Sequence, residues 1–226
     1  MTVQLPIPDF AAARRSMIDN QLRPVGVTDR AVLEAMGQVP REQFVPEDSR
    51  PLAYADRSLP LGGGRCMAAP AVLGQLLTQM APRPGERALV IGAGTGYSAA
   101  VLAAMGCDVT ALECSAELAA RARELGVRTA EGPLTAGHKS GAPYDLILID
   151  GAVEQLPEAI VKQLADGGRL GAVLIDGAGD VGGRPGIARL IIGQKVSGAY
   201  GHLSFGDAGV AALPGFSAPA AFKFER

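Results

Sequence analysis

The sequence contains no tryptophan and few other aromatic residues, with four tyrosines and six phenylalanines among 226 residues. Because 48% of the residues are hydrophobic, a chain of this length has enough apolar surface to bury a core. We therefore expect one compact unit whose core consists mainly of alanine, leucine, valine and isoleucine.

Cysteine and histidine are also scarce. The three cysteines, Cys66, Cys107 and Cys114, are odd in number and form no Cys-x-x-Cys pair, which argues against a disulfide framework and against a zinc site. His138 and His202 lie far apart, with no Cys or His near them at the spacing of metal ligands. We expect reduced thiols and no metal site.

The sequence has neither an excess of basic charge nor a long hydrophobic run. A net charge of -2 and a pI of about 5.7 argue against binding nucleic acid through its phosphates. No apolar run approaches the length of a membrane-spanning helix, and the start of the chain lacks the basic and apolar regions of a secretory leader. We expect a cytoplasmic protein that binds no nucleic acid and no membrane.

Residues 87–113 carry the most informative pattern. An apolar run, a glycine-rich turn, a helical pattern and a second apolar run follow one another, and this order predicts a strand, a turn, a helix and a strand. The four segments are residues 88–91, Gly92-Ala93-Gly94-Thr95-Gly96, residues 97–105 and residues 109–112.

This pattern favours a nucleoside-binding site. Glycines in such a turn let the backbone approach a ligand and leave the N-terminal amides of the helix free to meet it. Glu113, at the end of the second strand, could accept two hydrogen bonds from a ribose diol. The spacing matches the dinucleotide-binding fingerprint imperfectly. The alternative interpretation is a structural turn followed by a solvated carboxylate.

Strands and helices alternate as far as residue 175, which predicts a parallel sheet covered on both faces. The strands predicted after that residue would complete one edge of the sheet. Residues 39–70 are different, because five prolines and three consecutive glycines prevent long regular structure there. We expect an ordered loop packed through Phe44, Val45, Leu52, Tyr54 and Leu59. The predicted helices are 9–22, 29–38 (with Thr28 as a possible cap), 70–80, 115–125 (with Ser115 as cap) and 154–165; the further strands are 127–131, 144–149, 169–175, 187–196, 198–205 and 220–224.

Several segments resemble the protein-L-isoaspartate O-methyltransferase family. They are VPREQFVP, AYADRSLP, GGGRCMAAP, VIGAGTGYSAAVLA and APYDLILIDGA, and the resemblance covers roughly residues 16–175. It implies an α/β fold with a seven-stranded, mostly parallel, Rossmann-like sheet, helices on both faces and an N-terminal helical and loop region. Residues 1–82 would form the substrate side and residues 83–226 the core that binds S-adenosyl-L-methionine. The implied reaction is carboxyl methylation of damaged aspartyl residues in a protein or peptide.

The resemblance also implies roles for individual residues. The cofactor-binding positions would be Ile91, Gly92, Ala93, Gly94, Gly96, Tyr97, Glu113, Cys114, Glu131, Gly132 and Asp150. The substrate-side positions would be Leu61, Gly62, Arg65, Cys66 and Met67. Ala68 stands at the catalytic serine position of the family. Asp150 is a further catalytic candidate because of its place at the end of a strand opposite the glycine turn, and no metal is expected.

The chain departs from the family pattern at five of its positions. Ala68 stands where the family uses a serine hydroxyl beside the methyl acceptor, and Cys66 replaces a threonine. Val90 replaces an acid, and Asp150 replaces a threonine. Arg65 replaces a glutamine; it could contact an acidic acceptor or be a solvated loop charge.

These departures leave alternatives open. Asp150 could serve as general base for an amine or hydroxyl acceptor, or it could cap a helix that begins near residue 153. Asp150 and Asp176, at neighbouring strand ends, could hold magnesium, or Asp176 could begin a turn at residues 177–179. The chain is therefore an isoaspartyl methyltransferase, a methyltransferase for an unknown small molecule or other protein group, or a cofactor-binding protein that has lost transfer.

Overall fold

The computed structural model describes residues 9–176 and 187–218. The strand predicted at residues 220–224 and the turn predicted at residues 177–179 lie outside these residues. The α-helices are α1 (Phe10–Met17), α2 (Arg30–Gln38), α3 (Pro70–Met80), α4 (Tyr97–Ala104), α5 (Ala116–Glu124) and α6 (Glu158–Val161). The strands are β1 (Leu59–Gly62), β2 (Arg65–Met67), β3 (Arg87–Ile91), β4 (Asp108–Glu113), β5 (Thr129–Glu131), β6 (Tyr144–Val153), β7 (Leu164–Asp176), β8 (Ile187–Val196) and β9 (Ala199–Asp207).

Seven strands form one mixed sheet in the order β5-β4-β3-β6-β7-β8-β9. The strands from β5 to β7 in this order pair in parallel, whereas β8 and β9 run antiparallel to their neighbours. β8 and β9 form a hairpin around Ser197 and Gly198, whose φ angles are 51° and 80°, and a two-residue turn requires antiparallel strands. The predicted mostly parallel sheet is therefore confirmed, and its antiparallel part lies at the edge formed by β8 and β9.

Alternate residues of the central strands supply two separate core layers. In β3, Ala88 and Val90 belong to one hydrophobic cluster, and Leu89 and Ile91 belong to the other. The first cluster includes side chains of α3, α4 and the N-terminal helices. It therefore joins residues from both sides of position 82, the predicted boundary between the substrate side and the cofactor-binding core. The second includes Ile160 of α6 and the loop residues Leu134, Leu213 and Phe216. Helices therefore cover both faces of the sheet, as predicted.

The helix predicted at residues 154–165 is much shorter in the structure. Only Glu158–Val161 is helical, because Pro157 immediately precedes it and Leu164 already begins β7. The helix predicted at residues 9–22 is α1 followed by a π-helical turn at Ile18–Leu22. The prediction for α5 is confirmed, since Ser115 Oγ accepts a hydrogen bond from the Leu118 N–H at 3.4 Å.

Two strands are longer than predicted, and each contains an irregularity. β6 continues to Val153 with a register shift between Leu148 and Ala152, so Asp150 lies within this strand and not after it. β7 begins at Leu164, which pairs with Tyr144 of β6. A second register shift follows, because Leu146, two residues further along β6, pairs with Arg169. The sequence instead predicts a helix as far as residue 165 and a strand only from residue 169.

Residues 39–70 form short elements that pack against the sheet domain. They contain 3₁₀ turns at Arg41–Phe44 and Glu47–Leu52, followed by the antiparallel β1–β2 hairpin. The predicted burial of Phe44, Val45, Tyr54 and Leu59 is confirmed. The predicted burial of Leu52 is wrong: this side chain is 46% exposed, because the 3₁₀ turn that it ends buries none of its residues.

The N-terminal cap of α2 is Asp29, not the predicted Thr28. Asp29 Oδ1 accepts a hydrogen bond from the Val32 N–H at 3.1 Å, and this satisfies one of the free amides of the first turn. We expect Asp29→Ala to lower the free energy of unfolding by about 1 kcal/mol and Thr28→Ala to change it by less than about 0.5 kcal/mol. Urea unfolding of both variants checks this, and equal losses would contradict the assignment.

Candidate cofactor and acceptor site

The candidate site lies where β3 and β6, the two central strands, end side by side. The chain leaves β3 towards β4 on one side, and β6 leads to β7 on the other, so the strand order reverses between them. In open α/β sheets, ligands bind in the crevice at such a point. The fold brings the glycine turn after β3, Glu113 at the end of β4 and Asp150 in β6 to the same edge of the sheet.

The glycine turn adopts a conformation that requires glycine. Gly92, Gly94 and Gly96 have φ angles of 75°, 57° and 95°, in the left-handed region that other residues rarely adopt. A Cβ atom at Gly92 would lie 2.9 Å from the Leu213 side chain, and one at Gly94 would lie 2.7 Å from Leu61 Cδ1. Neighbouring side chains therefore approach the backbone of the turn directly.

Glu113 is completely buried beside this turn. Its Oε2 accepts a hydrogen bond from the Gly94 N–H at 2.7 Å. Its Oε1 accepts from the N–H groups of Cys114 at 2.8 Å and Ser115 at 3.1 Å. The interpretation of Glu113 as a solvated strand end is therefore wrong, because the backbone of the turn and of the α5 start surrounds its carboxylate.

Arg65 completes the shell of donors around Glu113. Its Nη1 donates to Glu113 Oε1 at 2.6 Å, and its Nη2 donates to the Gly92 carbonyl at 2.8 Å. The side chains of the ion pair are 7% and 0% exposed. The interpretation of Arg65 as a solvated loop charge is therefore wrong. In this structure its guanidinium lies with the predicted cofactor residues.

The β1–β2 hairpin carries the other predicted substrate-side residues to the same place. Leu61 contacts the glycine turn, and β2, which contains Cys66 and Met67, lies against β6. Gly62 begins the exposed turn of the hairpin. Ala68 follows β2, is 6% exposed, and its carbonyl accepts a hydrogen bond from Arg41 Nη2 at 2.6 Å.

Arg41 is a residue whose role the sequence analysis missed. It is completely buried, and its Nε also donates to the Ala53 carbonyl at 2.7 Å. Its guanidinium lies 4.8 Å from the centre of the Tyr97 ring. The available signal was a cation within the apolar and proline-rich segment VPREQFVP. Arg41 thus joins the loop before β1 to the backbone of Ala68.

Tyr97, by contrast, packs its side chain into the first core layer. The ring is 2% exposed and meets Phe44 edge to face, with centroids 5.6 Å apart. Within the described residues, its hydroxyl makes no hydrogen bond. Only the backbone of Tyr97, at the first position of α4, belongs to the turn.

Asp150 accepts a hydrogen bond from the Ser98 hydroxyl of α4. The helix-cap interpretation is wrong, because α6 begins only at Glu158 and Pro157 at its cap makes no side-chain bond. Burial raises the pKa of the Asp150 carboxyl; the Ser98 hydrogen bond and the positive charges of Arg65 and Arg41 oppose this rise. Asp150 therefore holds its proton more tightly than an exposed aspartate does.

This raised pKa predicts a pH-dependent stability effect. Because the native state binds the proton of Asp150 more tightly than the unfolded state, ionised Asp150 destabilises the fold above its native pKa. We expect Asp150→Asn to increase the free energy of unfolding near neutral pH. The gain should fade as pH falls through the raised native pKa and be absent below the ordinary aspartate value of about 3.9. Urea unfolding across this range, with the exposed Asp48→Asn as control, checks it; a pH-independent effect would contradict it.

The remaining predicted cofactor residues line the edges of the site or its base. Ile91 is buried in the second core layer, and Ala93 is 4% exposed within the turn. The Gly132 N–H donates to the Glu113 carbonyl at 3.1 Å, next to the exposed Glu131. Burial and the adjacent Glu113 raise the pKa of the Cys114 thiol, which favours its protonated form.

These residues fit a nucleoside-containing cofactor. The carboxylate of Glu113 lies at the tip of the strand next to the glycine turn, where a ribose diol would need an acceptor. A groove of about 450 Å³ reaches the glycine turn at Thr95 and the β1–β2 hairpin at Leu61. It runs between the loop before β1 and α5, and its other lining residues are Phe44, Val45, Pro46, Glu47, Arg50, Glu117, Leu118, Ala120, Arg121 and Glu124.

The structure offers no support for the magnesium alternative. Across residues 9–176 and 187–218, no group of three or more His, Cys, Asp or Glu side chains is arranged to hold a metal ion.

No helix in the same ranges has the length and apolar character needed to cross a membrane.

The fold and the site define the chain as a Rossmann-like methyltransferase of the S-adenosylmethionine-dependent class. The family model of protein-L-isoaspartate (D-aspartate) O-methyltransferase matches residues 12–175. The chain therefore belongs to this family, and the predicted family and fold class are confirmed.

Curated relatives agree with this membership. The protein-L-isoaspartate O-methyltransferase of Methylorubrum populi is 46% identical over 165 residues, which are 70% of this chain and 78% of the relative. Protein-L-isoaspartate O-methyltransferase 2 of Marinobacter nauticus is 38% identical over 209 residues, which are 88% of this chain and 91% of the relative.

Two solved structures share the fold over most of the chain. A protein-L-isoaspartate O-methyltransferase superposes with a TM-score of 0.75 at 22% identity, covering 90% of this chain and 67% of the other. The β-aspartate methyltransferase (PCMT) of Plasmodium falciparum, in complex with S-adenosyl-L-homocysteine, has a TM-score of 0.73 at 21% identity. That superposition covers 88% of this chain and 97% of the other.

Proposed function

We propose that this chain transfers a methyl group from S-adenosyl-L-methionine to the carboxylate of a damaged aspartyl residue in a protein or peptide. The observation that carries the proposal is the buried carboxylate of Glu113 beside a three-glycine turn at the reversal of strand order. The membership of the chain in the isoaspartyl methyltransferase family supplies the acceptor class. The expected cytoplasmic location stays a prediction.

The cofactor side would consist of the glycine turn and the ends of β4, β5 and β6. When bound, S-adenosyl-L-methionine supplies an electrophilic methyl group on a sulfonium. Glu113 would accept the ribose hydroxyls, and the turn at Gly92, Gly94 and Gly96 would let the backbone approach the cofactor closely. Residues of the edge would flank the nucleoside; they are Ile91, Ala93, Tyr97, Cys114, Glu131, Gly132 and Asp150.

The acceptor side would be the β1–β2 hairpin and Ala68. A carboxylate is already a nucleophile at neutral pH and needs no general base, so the protein mainly aligns the carboxylate oxygen, methyl carbon and sulfur and excludes water. The buried Arg41 donates a hydrogen bond to the Ala68 carbonyl and so would hold the backbone of Ala68 in position beside the acceptor. Leu61, Gly62, Arg65, Cys66 and Met67 would bound the acceptor, and the N-terminal residues 1–82 would form its wider surface.

The absent hydroxyl at Ala68 gives the first test. If the family hydroxyl assists transfer here, restoring it in Ala68→Ser adds one hydrogen-bond donor, and loss of such a donor costs about 2–4 kcal/mol of transition-state stabilisation. We expect measurable transfer of labelled methyl to an isoaspartyl peptide by the wild type and a faster rate, by about thirtyfold to a thousandfold, for Ala68→Ser.

The matched control is the same peptide with a normal aspartyl residue, which should accept no label from either protein. Wild-type transfer at the rate of Ala68→Ser would show that the hydroxyl is dispensable. Failure of both proteins to label the isoaspartyl peptide, with cofactor binding intact, would overturn the proposed acceptor.

A second candidate acceptor is an amine or hydroxyl group, because Asp150 lies at the crevice with a raised pKa that suits a general base. A screen of such acceptors with the wild type and Asp150→Asn tests this. A turned-over acceptor whose rate is unchanged in Asp150→Asn would exclude the base role. Cofactor binding with no turned-over acceptor in either screen would instead favour a binding protein that has lost transfer.

A further inference from the structure

The carboxylate of Glu113 has too little hydrogen-bonding capacity left for both hydroxyls of a ribose. A carboxylate offers about four lone-pair positions on its two oxygens. Oε1 already accepts hydrogen bonds from Arg65, Cys114 N–H and Ser115 N–H, with the Cys114 thiol as a further weak donor at 3.5 Å. Oε2 accepts from Gly94 N–H and keeps one free position. The two hydroxyls of a ribose diol can therefore bind Glu113 only if a present donor leaves.

Arg65 is the donor that is able to leave. Three of the other donors are backbone amides of the glycine turn and of the α5 start, whose positions the sheet and the helix fix. The Cys114 thiol is only a weak donor, so its departure would free little of the carboxylate. Arg65 is a side chain on the β1–β2 hairpin, which turns through Gly62, Gly63 and Gly64 at φ angles of 98°, 55° and 74°. A rotamer change of Arg65 moves its charge without changing the sheet.

The Arg65 guanidinium also lies directly against Gly92, the first glycine of the turn. Its Nη2 binds the Gly92 carbonyl at 2.8 Å and would lie 3.2 Å from a Cβ atom at Gly92. The guanidinium and a ligand on this turn therefore need the same space as well as the same carboxylate.

We propose that the ribose diol of S-adenosyl-L-methionine displaces Arg65 from Glu113, so that Arg65 determines the cofactor affinity of this chain. This inference rests on the proposed function for the identity of the cofactor.

The test is the affinity for S-adenosyl-L-homocysteine of the full chain, measured by calorimetry. Arg65→Gln replaces a charged donor by a neutral one, which competes less strongly for the carboxylate. We expect Arg65→Gln to bind the probe about tenfold more tightly than the wild type, or better, because a charge-assisted bond no longer has to break. The matched control Arg57→Gln makes the same change of charge at an exposed position and should bind as the wild type does.

Unchanged or weaker binding by Arg65→Gln would overturn the inference. A second variant pair separates competition for the carboxylate from removal of bulk: Glu113→Gln with and without Arg65→Gln. If Arg65→Gln tightens binding as strongly when Glu113 is also replaced, Arg65 acts by bulk and the inference is wrong. If neither the wild type nor Arg65→Gln binds the probe, the proposed function itself fails.

Discussion

Replacing Glu113 by glutamine is expected to weaken cofactor binding by about a hundredfold or more, because two hydrogen bonds to a charged acceptor become bonds to a neutral amide. The same change should lower the free energy of unfolding by about 3 kcal/mol, since it leaves the buried Arg65 guanidinium without its counter-ion. The amide also presents a donor where the carboxylate now accepts backbone N–H groups. Calorimetry with S-adenosyl-L-methionine and urea unfolding measure the two effects.

Glu131→Gln is the matched control for this prediction. Glu131 lies beside Glu113 in the register of β4 and β5, but it is exposed and pairs with the exposed Arg123 at 2.7 Å. We expect this variant to change the free energy of unfolding by less than about 0.5 kcal/mol. Equal effects of the two substitutions on stability would show that the burial of Glu113 has no energetic consequence.

Replacing Arg41 by methionine is the second change for which we expect a large effect, a loss of about 3–5 kcal/mol in the free energy of unfolding. The variant loses two buried charge-assisted hydrogen bonds, to the carbonyls of Ala53 and Ala68, each of which contributes about 1.5–3 kcal/mol net of desolvation. Methionine keeps most of the apolar volume, so the loss would come from the unpaired carbonyls and not from a cavity.

Two further variants test this interpretation of Arg41. Arg41→Lys keeps the charge but lacks the planar fork that reaches both carbonyls, so its stability should lie between those of the wild type and Arg41→Met. Arg57→Met removes an exposed arginine and should change stability by less than about 0.5 kcal/mol. Urea unfolding of all three measures the differences. If Arg41→Met lowered the free energy of unfolding by no more than Arg57→Met does, the role of Arg41 in holding Ala68 would be refuted.

Local patterns in the sequence predicted the central part of the fold. The strands β3, β4 and β8 and the helices α3, α4 and α5 each show their own apolar periodicity and end signals, and these features depend on residues a few positions apart. The glycine turn was predicted for the same reason, because the left-handed backbone at Gly92, Gly94 and Gly96 limits which residues can stand there.

Local patterns failed where a partner strand or loop determined the structure. The register shift in β6 places Asp150 within a strand, and this shift depends on the pairing of β6 with β7. The short α6 ends because β7 begins at Leu164 to pair with Tyr144. In both cases, tertiary pairing outweighed local helical or turn preference.

The sequence by itself determined the family, the glycine turn and the identity of Glu113 as the acid next to it. Only the tertiary structure decided what these side chains contact. Arg65 reaches Glu113 across 48 positions, Ser98 reaches Asp150 across 52, and Arg41 reaches Ala68 across 27. Such contacts leave no periodic trace in the sequence, because they arise when separate elements meet at one sheet edge and exclude water. Each buried polar group must then find a partner, whichever part of the chain supplies it.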